Sequence, residues 1–111
     1  MKISVDLMRI EHTPALASFI EKKFEAVRKL IHRLETGSEQ ILALDISRTT
    51  RHHRKGPVFR AEANLKIGKT LLRAEATEED IRTALDMVKD DLRREIIKFK
   101  EKLSVKTKNR K

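Results

Sequence analysis

Basic side chains recur at helical spacing near the end of the sequence. Arg94, Lys98 and Lys102 follow one another at steps of four residues, which places them on one stripe of a helix, roughly opposite its apolar face. Between residues 93 and 110, eight basic residues accompany only two acidic ones, and like charges four residues apart repel each other. The pattern therefore favours a helix that binds an anionic partner over an ordinary solvated face. A second basic stripe, at one edge of the apolar face, consists of Lys89, Arg93 and Lys100.

Another group of potential anion ligands lies in the segment 48–56, which has no acidic neighbour between Ser47 and Ala61. Adjacent histidines diverge and make a poor chelating pair, so we expect no metal there. Arginine and histidine planes stack on exposed bases instead, and the segment is interpreted as a hairpin arm that contacts RNA, a plain solvated loop being the alternative. The candidate residues of this arm are Arg48, Arg51, His52, His53, Arg54 and Lys55.

The formal net charge of +9 at pH 7 is distributed in blocks. Residues 1–47 carry seven basic and seven acidic groups, whereas 48–73 carry eight basic groups and one acidic group. Residues 74–91 carry two basic groups and seven acidic groups, and 92–111 carry nine basic groups and two acidic groups. Two basic clusters that flank an acidic spacer are typical of a protein that follows a phosphate backbone, so nucleic acid is the first partner to consider.

Catalysis is poorly supported by the same sequence. It has no cysteine, no glycine-rich phosphate loop and no H-E-x-x-H motif, and helix capping explains the carboxylates at 78–80. We therefore expect no enzyme activity, no metal, no cofactor and no small-molecule substrate. The four phenylalanines fall on or beside apolar stripes, so a base-stacking platform is not expected and binding should depend on phosphate and shape.

The 111 residues are enough for one domain with a modest core. No stretch approaches the roughly 20 apolar residues that span a bilayer, and residues 1–6 do not begin a signal peptide. We expect a soluble, cytoplasmic protein with no membrane partner. Residues 1–103 are interpreted as the single domain, and 104–111, which lack periodicity, as a flexible basic tail.

The elements that must position the basic residues are read from hydrophobic periodicity. Thr13 is expected to cap the first helix, with Pro14 in its first turn, and Thr77 to cap the second. Gly68 and Lys69 suit a two-residue type II′ hairpin turn. Alternation predicts strands near 3–7, 42–47, 59–67 and 72–76, and steps of three and four predict helices over about 14–35 and 78–103.

The resulting order, β-α-β-β-β-α, predicts a two-layer α+β domain. A strand–helix–strand unit makes the first two strands parallel, and the hairpins make the others antiparallel, which gives a four-stranded mixed sheet. Each strand has one apolar side, so both helices should cover the same face. The opposite face is then expected to be solvent-exposed and to show Arg60, Glu62, Asn64, Lys66 and Arg73.

In their order and spacing, several stretches resemble the family of ribosome hibernation promoting factors and ribosome-associated inhibitors, in its short form. The likeness extends from residue 1 to about residue 103. Arg82 stands near a position where an aromatic residue is common in that family. The stretches that carry the resemblance are 13–16 with Lys23–Phe24, 59–62, 74–76, and 84–86 followed by the basic positions of the second helix.

This resemblance implies a non-enzymatic protein that binds the ribosomal RNA of the small subunit, over the path of messenger RNA and transfer RNA. Occupying that channel would block initiation and protect idle ribosomes, and the protein would be a monomer off the ribosome. Two alternatives stay open: a general double-stranded RNA-binding module, and a regulator that binds another protein through the exposed sheet face. The basic positions that match the family are Lys23, Arg94, Lys98, Lys100 and Lys102.

Overall fold

The computed structural model describes residues 1–32, 39–50 and 57–108, and the predicted element order β-α-β-β-β-α is confirmed. Each strand is somewhat longer than its apolar alternation indicated. The elements are β1 (Lys2–Met8), α1 (Pro14–His32), β2 (Gln40–Thr50), β3 (Pro57–Ile67), β4 (Thr70–Glu78) and α2 (Ile81–Lys108).

The four strands form one mixed sheet in the order β1-β2-β3-β4. β1 pairs with β2 in parallel, with Val5 opposite Leu44, whereas β2–β3 and β3–β4 are antiparallel. A parallel pair needs a crossover connection, and α1 supplies it. The predicted topology is therefore confirmed.

A single apolar layer lies between the sheet and the two helices. Strand residues at alternate positions, such as Leu42, Leu44 and Leu65, are buried against Phe24 of α1 and Leu92 of α2. Because these residues belong to one cluster, both helices cover the same face of the sheet, as predicted. The opposite face carries the polar half of each strand.

The start of α1 follows the predicted capping pattern. The backbone N–H of Leu16 donates to Thr13 Oγ1 at 3.1 Å, and the N–H of Ala17 donates to the Thr13 carbonyl at 3.0 Å. Pro14 occupies the first helical position, where its missing N–H is no loss. The predicted end of this helix near residue 35 lies outside the described residues.

The turn between β3 and β4 also agrees with expectation. Ile67 pairs with Thr70, so Gly68 and Lys69 are the two loop residues. Gly68 has φ 58°, and the only described non-glycine residue with positive φ is Arg9. Positive φ at the first central residue alone is typical of a type II′ turn, and glycine adopts it at little cost.

The predicted N-cap of α2 is wrong. Thr77 is a residue of β4, where it pairs with Arg60, and the helix begins only at Ile81. Asp80 is the cap: its Oδ1 accepts the N–H of Arg82 at 2.8 Å, and its carbonyl accepts the N–H of Ala84 at 3.0 Å. Pairing of Thr77 with β3 keeps it in the strand, so the helix begins about one turn later than predicted. Asp80 is available there as the cap, because Asp caps a helix at least as well as Thr.

The predicted end of α2 at Leu103 is also wrong. The backbone is helical to Lys108, so most of the segment interpreted as a flexible tail continues the helix. No glycine or proline occurs between Ile81 and Lys108 to stop it, and apolar periodicity ends before helical geometry does. Residues 109–111 lie outside the described residues, and the boundary of the domain at 103 stays a prediction.

Candidate nucleic-acid interface

α2 lies over the β3–β4 half of the sheet and packs against α1 along its other side. Its innermost residues, including Leu85, Val88 and Ile96, have no exposed surface. This buried stripe fixes the rotation of the helix about its axis. As a result, the basic side chains emerge along two flanks, one beside β4 and one beside α1.

Two members of the predicted stripe of Arg94, Lys98 and Lys102 lie on the β4 flank. Lys98 and Lys102 line a groove of about 280 Å³ whose other wall includes Thr70 and Leu72 of β4. Lys98 and Lys102 therefore lie beside the sheet edge, which corrects their sequence-based placement opposite the apolar face. The correction follows from the position of α2 over β3 and β4, which turns this flank toward the edge strand.

Two cations of this stripe make only local ion pairs. Arg94 Nη1 lies 2.7 Å from Asp91 Oδ1, and Lys98 Nζ lies 3.8 Å from Glu95 Oε1. The Arg94 and Lys98 side chains remain 71% and 68% exposed. Exposed pairs of this kind contribute about 0–1 kcal/mol, so exchanging the carboxylate for a phosphate costs little.

The α1 flank is built differently, because a carboxylate joins two of its cations. Lys23 Nζ of α1 donates to Asp86 Oδ1 at 3.0 Å, and Lys89 Nζ lies 3.5 Å from the same oxygen. Lys89 also contacts Asp90 Oδ1 at 3.0 Å. The Lys23 and Lys89 side chains are only 27% and 17% exposed, so both cations are largely enclosed.

The charges of this cluster shift its titration. The hydrogen bond from Lys23, followed by the charge of the same ammonium group, holds the pKa of Asp86 below its ordinary value of 3.8. The hydrogen bond to Asp90 raises the pKa of Lys89 above 10.5. Asp86 and Lys89 are therefore charged at neutral pH. The Lys23–Asp86 contact links the two helices electrostatically.

Phe19 extends the same cluster toward the start of α2. The Lys23 ammonium lies 5.3 Å from the centre of the Phe19 ring, and the Arg82 guanidinium lies 5.4 Å from it. Both distances allow cation–π attraction. Sequence reasoning missed this contact, although the spacing of four residues between Phe19 and Lys23 was a signal, and Arg82 supplies a contact to α1 where an aromatic residue was expected.

Three predicted cations of α2 have no ion pair among the described residues: Arg93, Lys100 and Lys102. Arg93 and Lys102 are exposed, and Lys100 is half-buried. Arg93 and Lys100 are close to the α1 flank, whereas Lys102 belongs to the β4 flank. Each flank therefore offers charge that no acidic side chain of the described residues neutralises.

The candidate arm begins at the other end of the sheet. Arg48, which is exposed, pairs across β2–β3 with Phe59, and Phe59 pairs with Glu78 at the end of β4. Lys102 lies beside Thr70, at the start of β4. Eight strand steps of 3.3 Å separate the two ends by about 26 Å, so Arg48 and Lys102 are not brought together. Residues 51–55 lie outside the described residues: Arg51, His52, His53, Arg54 and Lys55.

The open face of the sheet contrasts with the flanks of α2, because its charges are largely paired. Glu62 accepts hydrogen bonds from Asn64 at 3.2 Å, from Arg60 at 3.1 Å and from Arg73. These bonds, that from Asn64 first, lower the pKa of Glu62 below its ordinary range. Arg60 also contacts Glu75 at 2.6 Å. The central part of this face, around Glu62, is therefore nearly neutral.

Over the part of the chain that the structure describes, no group of three or more His, Asp or Glu side chains is arranged to hold a metal ion. None of the described helices combines the length and the hydropathy that crossing a bilayer requires.

Comparisons with known proteins agree with this fold. Residues 3–104 match the family described as sigma 54 modulation protein / S30EA ribosomal protein. A ribosome hibernation promoting factor of Azotobacter vinelandii is 28% identical over 102 residues, covering 92% of this chain and 85% of the relative. One from Klebsiella oxytoca is 26% identical over 103 residues, covering 93% and 97%.

Solved structures give the same architecture. The N-terminal domain of Thermus thermophilus Protein Y superposes with a TM-score of 0.68 at 24% identity, covering 89% of this chain and 99% of that one. A ribosomal subunit interface protein from Coxiella burnetii gives a TM-score of 0.66 at 19% identity, covering 91% and 99%. At these identities the likeness concerns the fold.

Proposed function

Because the chain belongs to the sigma 54 modulation protein / S30EA ribosomal protein family, we propose that it is a ribosome hibernation factor. It binds the ribosomal RNA of the small subunit in the channel of messenger and transfer RNA, and thereby keeps idle ribosomes intact and inactive. The curated relatives are named for ribosome hibernation. The basic surface of α2 is the part of this chain suited to that partner.

The observation that carries the proposal is the excess of available cations on the second half of α2. Arg93, Lys100 and Lys102 have no ion pair among the described residues, and Arg94 and Lys98 make only exposed local pairs. When these groups neutralise phosphates, the counterions condensed on the RNA are released, which is a major driving force of RNA binding. A rigid helix presents the charges at a fixed pitch.

The cations divide into two groups with different parts in binding. Arg93, Arg94, Lys98, Lys100 and Lys102 contact phosphates directly. Lys23 is held by Asp86 of the other helix, so its main part is to fix α1 against α2. Lys89 is held by Asp86 and Asp90 within α2, and its main part is to add positive potential beside the contact surface. The arm, residues 48–55, is proposed to reach further RNA at the opposite end of the sheet.

Co-sedimentation with purified small subunits tests the proposal. The variant Lys98→Ala/Lys102→Ala removes two charges from the β4 flank, and Arg93→Ala/Lys100→Ala removes two from the α1 flank. Lys29→Ala/Lys66→Ala removes two exposed charges outside α2 and is the matched control. We expect near one-to-one binding by the unmodified protein and the control, and at least a tenfold weaker affinity for each α2 variant at equal salt.

Two binding measurements distinguish this function from its alternatives: competition with messenger and transfer RNA, and affinity for a plain RNA duplex. Messenger RNA with initiator transfer RNA should displace the protein, because both occupy the proposed channel. Equal affinity for a plain RNA duplex would make it a general double-stranded RNA-binding module. Equal binding by all three variants would contradict the proposed interface and redirect attention to the sheet face.

A further inference from the structure

β1 is an edge strand whose outer side has no backbone partner among the described residues. It pairs with β2 on one side only, and no described backbone hydrogen bond reaches its other side. Its inward side chains, Ile3, Val5 and Leu7, are only half-buried, unlike the fully buried Leu44 opposite Val5. An edge with these features is a template for the addition of another strand.

An apolar groove opens beside this edge, between β1 and the overhanging first turns of α1. Its volume is about 410 Å³, and its apolar walls include Val5, Leu7, Leu16 and Ile20. Strand addition beside β1 would bring the inward side chains of the added strand to this groove. Backbone pairing and filling of an apolar pocket would then act together.

The sequence of β1 is complementary to itself. In an antiparallel pair centred on Ser4, Lys2 of one copy lies opposite Asp6 of the other, and Ile3 lies opposite Val5. The two-fold axis repeats both pairs, which gives two ion pairs on the open face and two apolar pairs on the helix face. The existing contact of Lys2 with Glu39 spans 3.5 Å between highly exposed groups, so it does not compete strongly.

We propose that β1 is the contact surface for a second copy of this chain, through antiparallel β1–β1 pairing centred on Ser4. The protein off the ribosome would then be a dimer and not the monomer that the family resemblance implies. Two four-stranded sheets would join into one sheet of eight strands. α2 contacts β3 and β4 and not the β1 edge, so its basic flanks stay free in this dimer. The proposal is therefore independent of the proposed ribosomal function.

A cysteine placed on the axis gives a direct test, since the chain has no cysteine of its own. In an antiparallel pair, directly opposed Cα atoms are about 4.5 or 5.5 Å apart, and both spacings suit a disulfide. Ser4→Cys should therefore oxidise to a covalent dimer much faster than Leu71→Cys, which carries its cysteine on the other edge strand. Oxidation of the two variants at the same slow rate would overturn the proposal.

Charge exchange tests the register. Asp6→Lys and Lys2→Asp each place like charges opposite one another, so each should weaken the dimer at least fivefold, while the double variant Lys2→Asp/Asp6→Lys should restore it. Sedimentation equilibrium over about a hundredfold range of concentration measures this, because mass action governs a dimer. A protein that stays monomeric throughout, or a dimer indifferent to all three variants, would contradict β1 pairing.

Discussion

Lys23 Nζ of α1 lies 3.0 Å from Asp86 Oδ1 of α2, and this pair joins the two helices across 63 residues of sequence. Lys89 approaches the same carboxylate from the next turn of α2. One acidic side chain thus holds two of the cations that sequence reasoning assigned to RNA. Neither cation is therefore a freely available charge, and the Lys23–Asp86 contact links the two helices.

The first prediction concerns the pH dependence of this link. The pKa of Asp86 is lowered in the folded state, so its contribution to stability is fully present above the ordinary value of 3.8 and is lost as the pH falls through the lowered pKa. Asp86→Asn should therefore lower the Tm at pH 7, and the difference from the unmodified protein should shrink as the solution is acidified below pH 3.8. Thermal melts followed by circular dichroism measure both.

Glu101→Gln is the control for this experiment, because it alters an exposed carboxylate of α2 that has no ion pair among the described residues. Its Tm should follow that of the unmodified protein at every pH. A constant difference between Asp86→Asn and the unmodified protein down to strongly acidic pH would show that the carboxylate charge is not what joins the helices.

The second prediction concerns the salt dependence of binding to small subunits. Arg93→Ala and Lys102→Ala should each lower the log–log slope of affinity against salt by about 1, the value for one phosphate contact. Lys89→Ala should change it less, because Lys89 is already paired with Asp86 and Asp90. Titrations at several salt concentrations give the slopes, and an equal loss for all three would remove the proposed division between contacting and positioning cations.

The third prediction compares neighbouring isoleucines on opposite sides of α2. Ile96 is fully buried, whereas Ile97 is 43% exposed. Ile96→Ala should lower the free energy of unfolding by about 2–5 kcal/mol, because it removes buried methyl groups and leaves a cavity. Ile97→Ala should lower it by less than about 1 kcal/mol. Urea titration measures both, and similar losses at the two positions would contradict the orientation of the helix.

The fourth prediction concerns the N-terminus of α2. Asp80→Ala removes the acceptor for the N–H of Arg82, so it should cost about 0.5–2 kcal/mol of unfolding free energy. Thr77→Val keeps a β-branched residue in β4 and removes only the hydroxyl, so its effect should be within about 0.5 kcal/mol. Chemical denaturation distinguishes the positions, and a larger loss for Thr77→Val would restore Thr77 as the cap.

Local patterns in the sequence determined most of the fold. Alternating apolar residues in strands, the three- and four-residue steps in helices, and the Thr13–Pro14 start are signals between near neighbours, and they need no knowledge of distant contacts. The same holds for Gly68, where a positive φ favours glycine. The basic character of α2 is likewise a property of composition at a regular spacing.

Tertiary structure decided where the elements end and what each charge does. Pairing with Arg60 kept Thr77 in a strand, and packing over β3 and β4 turned Lys98 and Lys102 toward the sheet edge. The engagement of Lys23 by Asp86 depends on residues that are adjacent only after folding. Periodicity specifies which face of an element is buried. It does not specify which distant side chain contacts a given residue, because such contacts depend on how the helices and the sheet pack against one another.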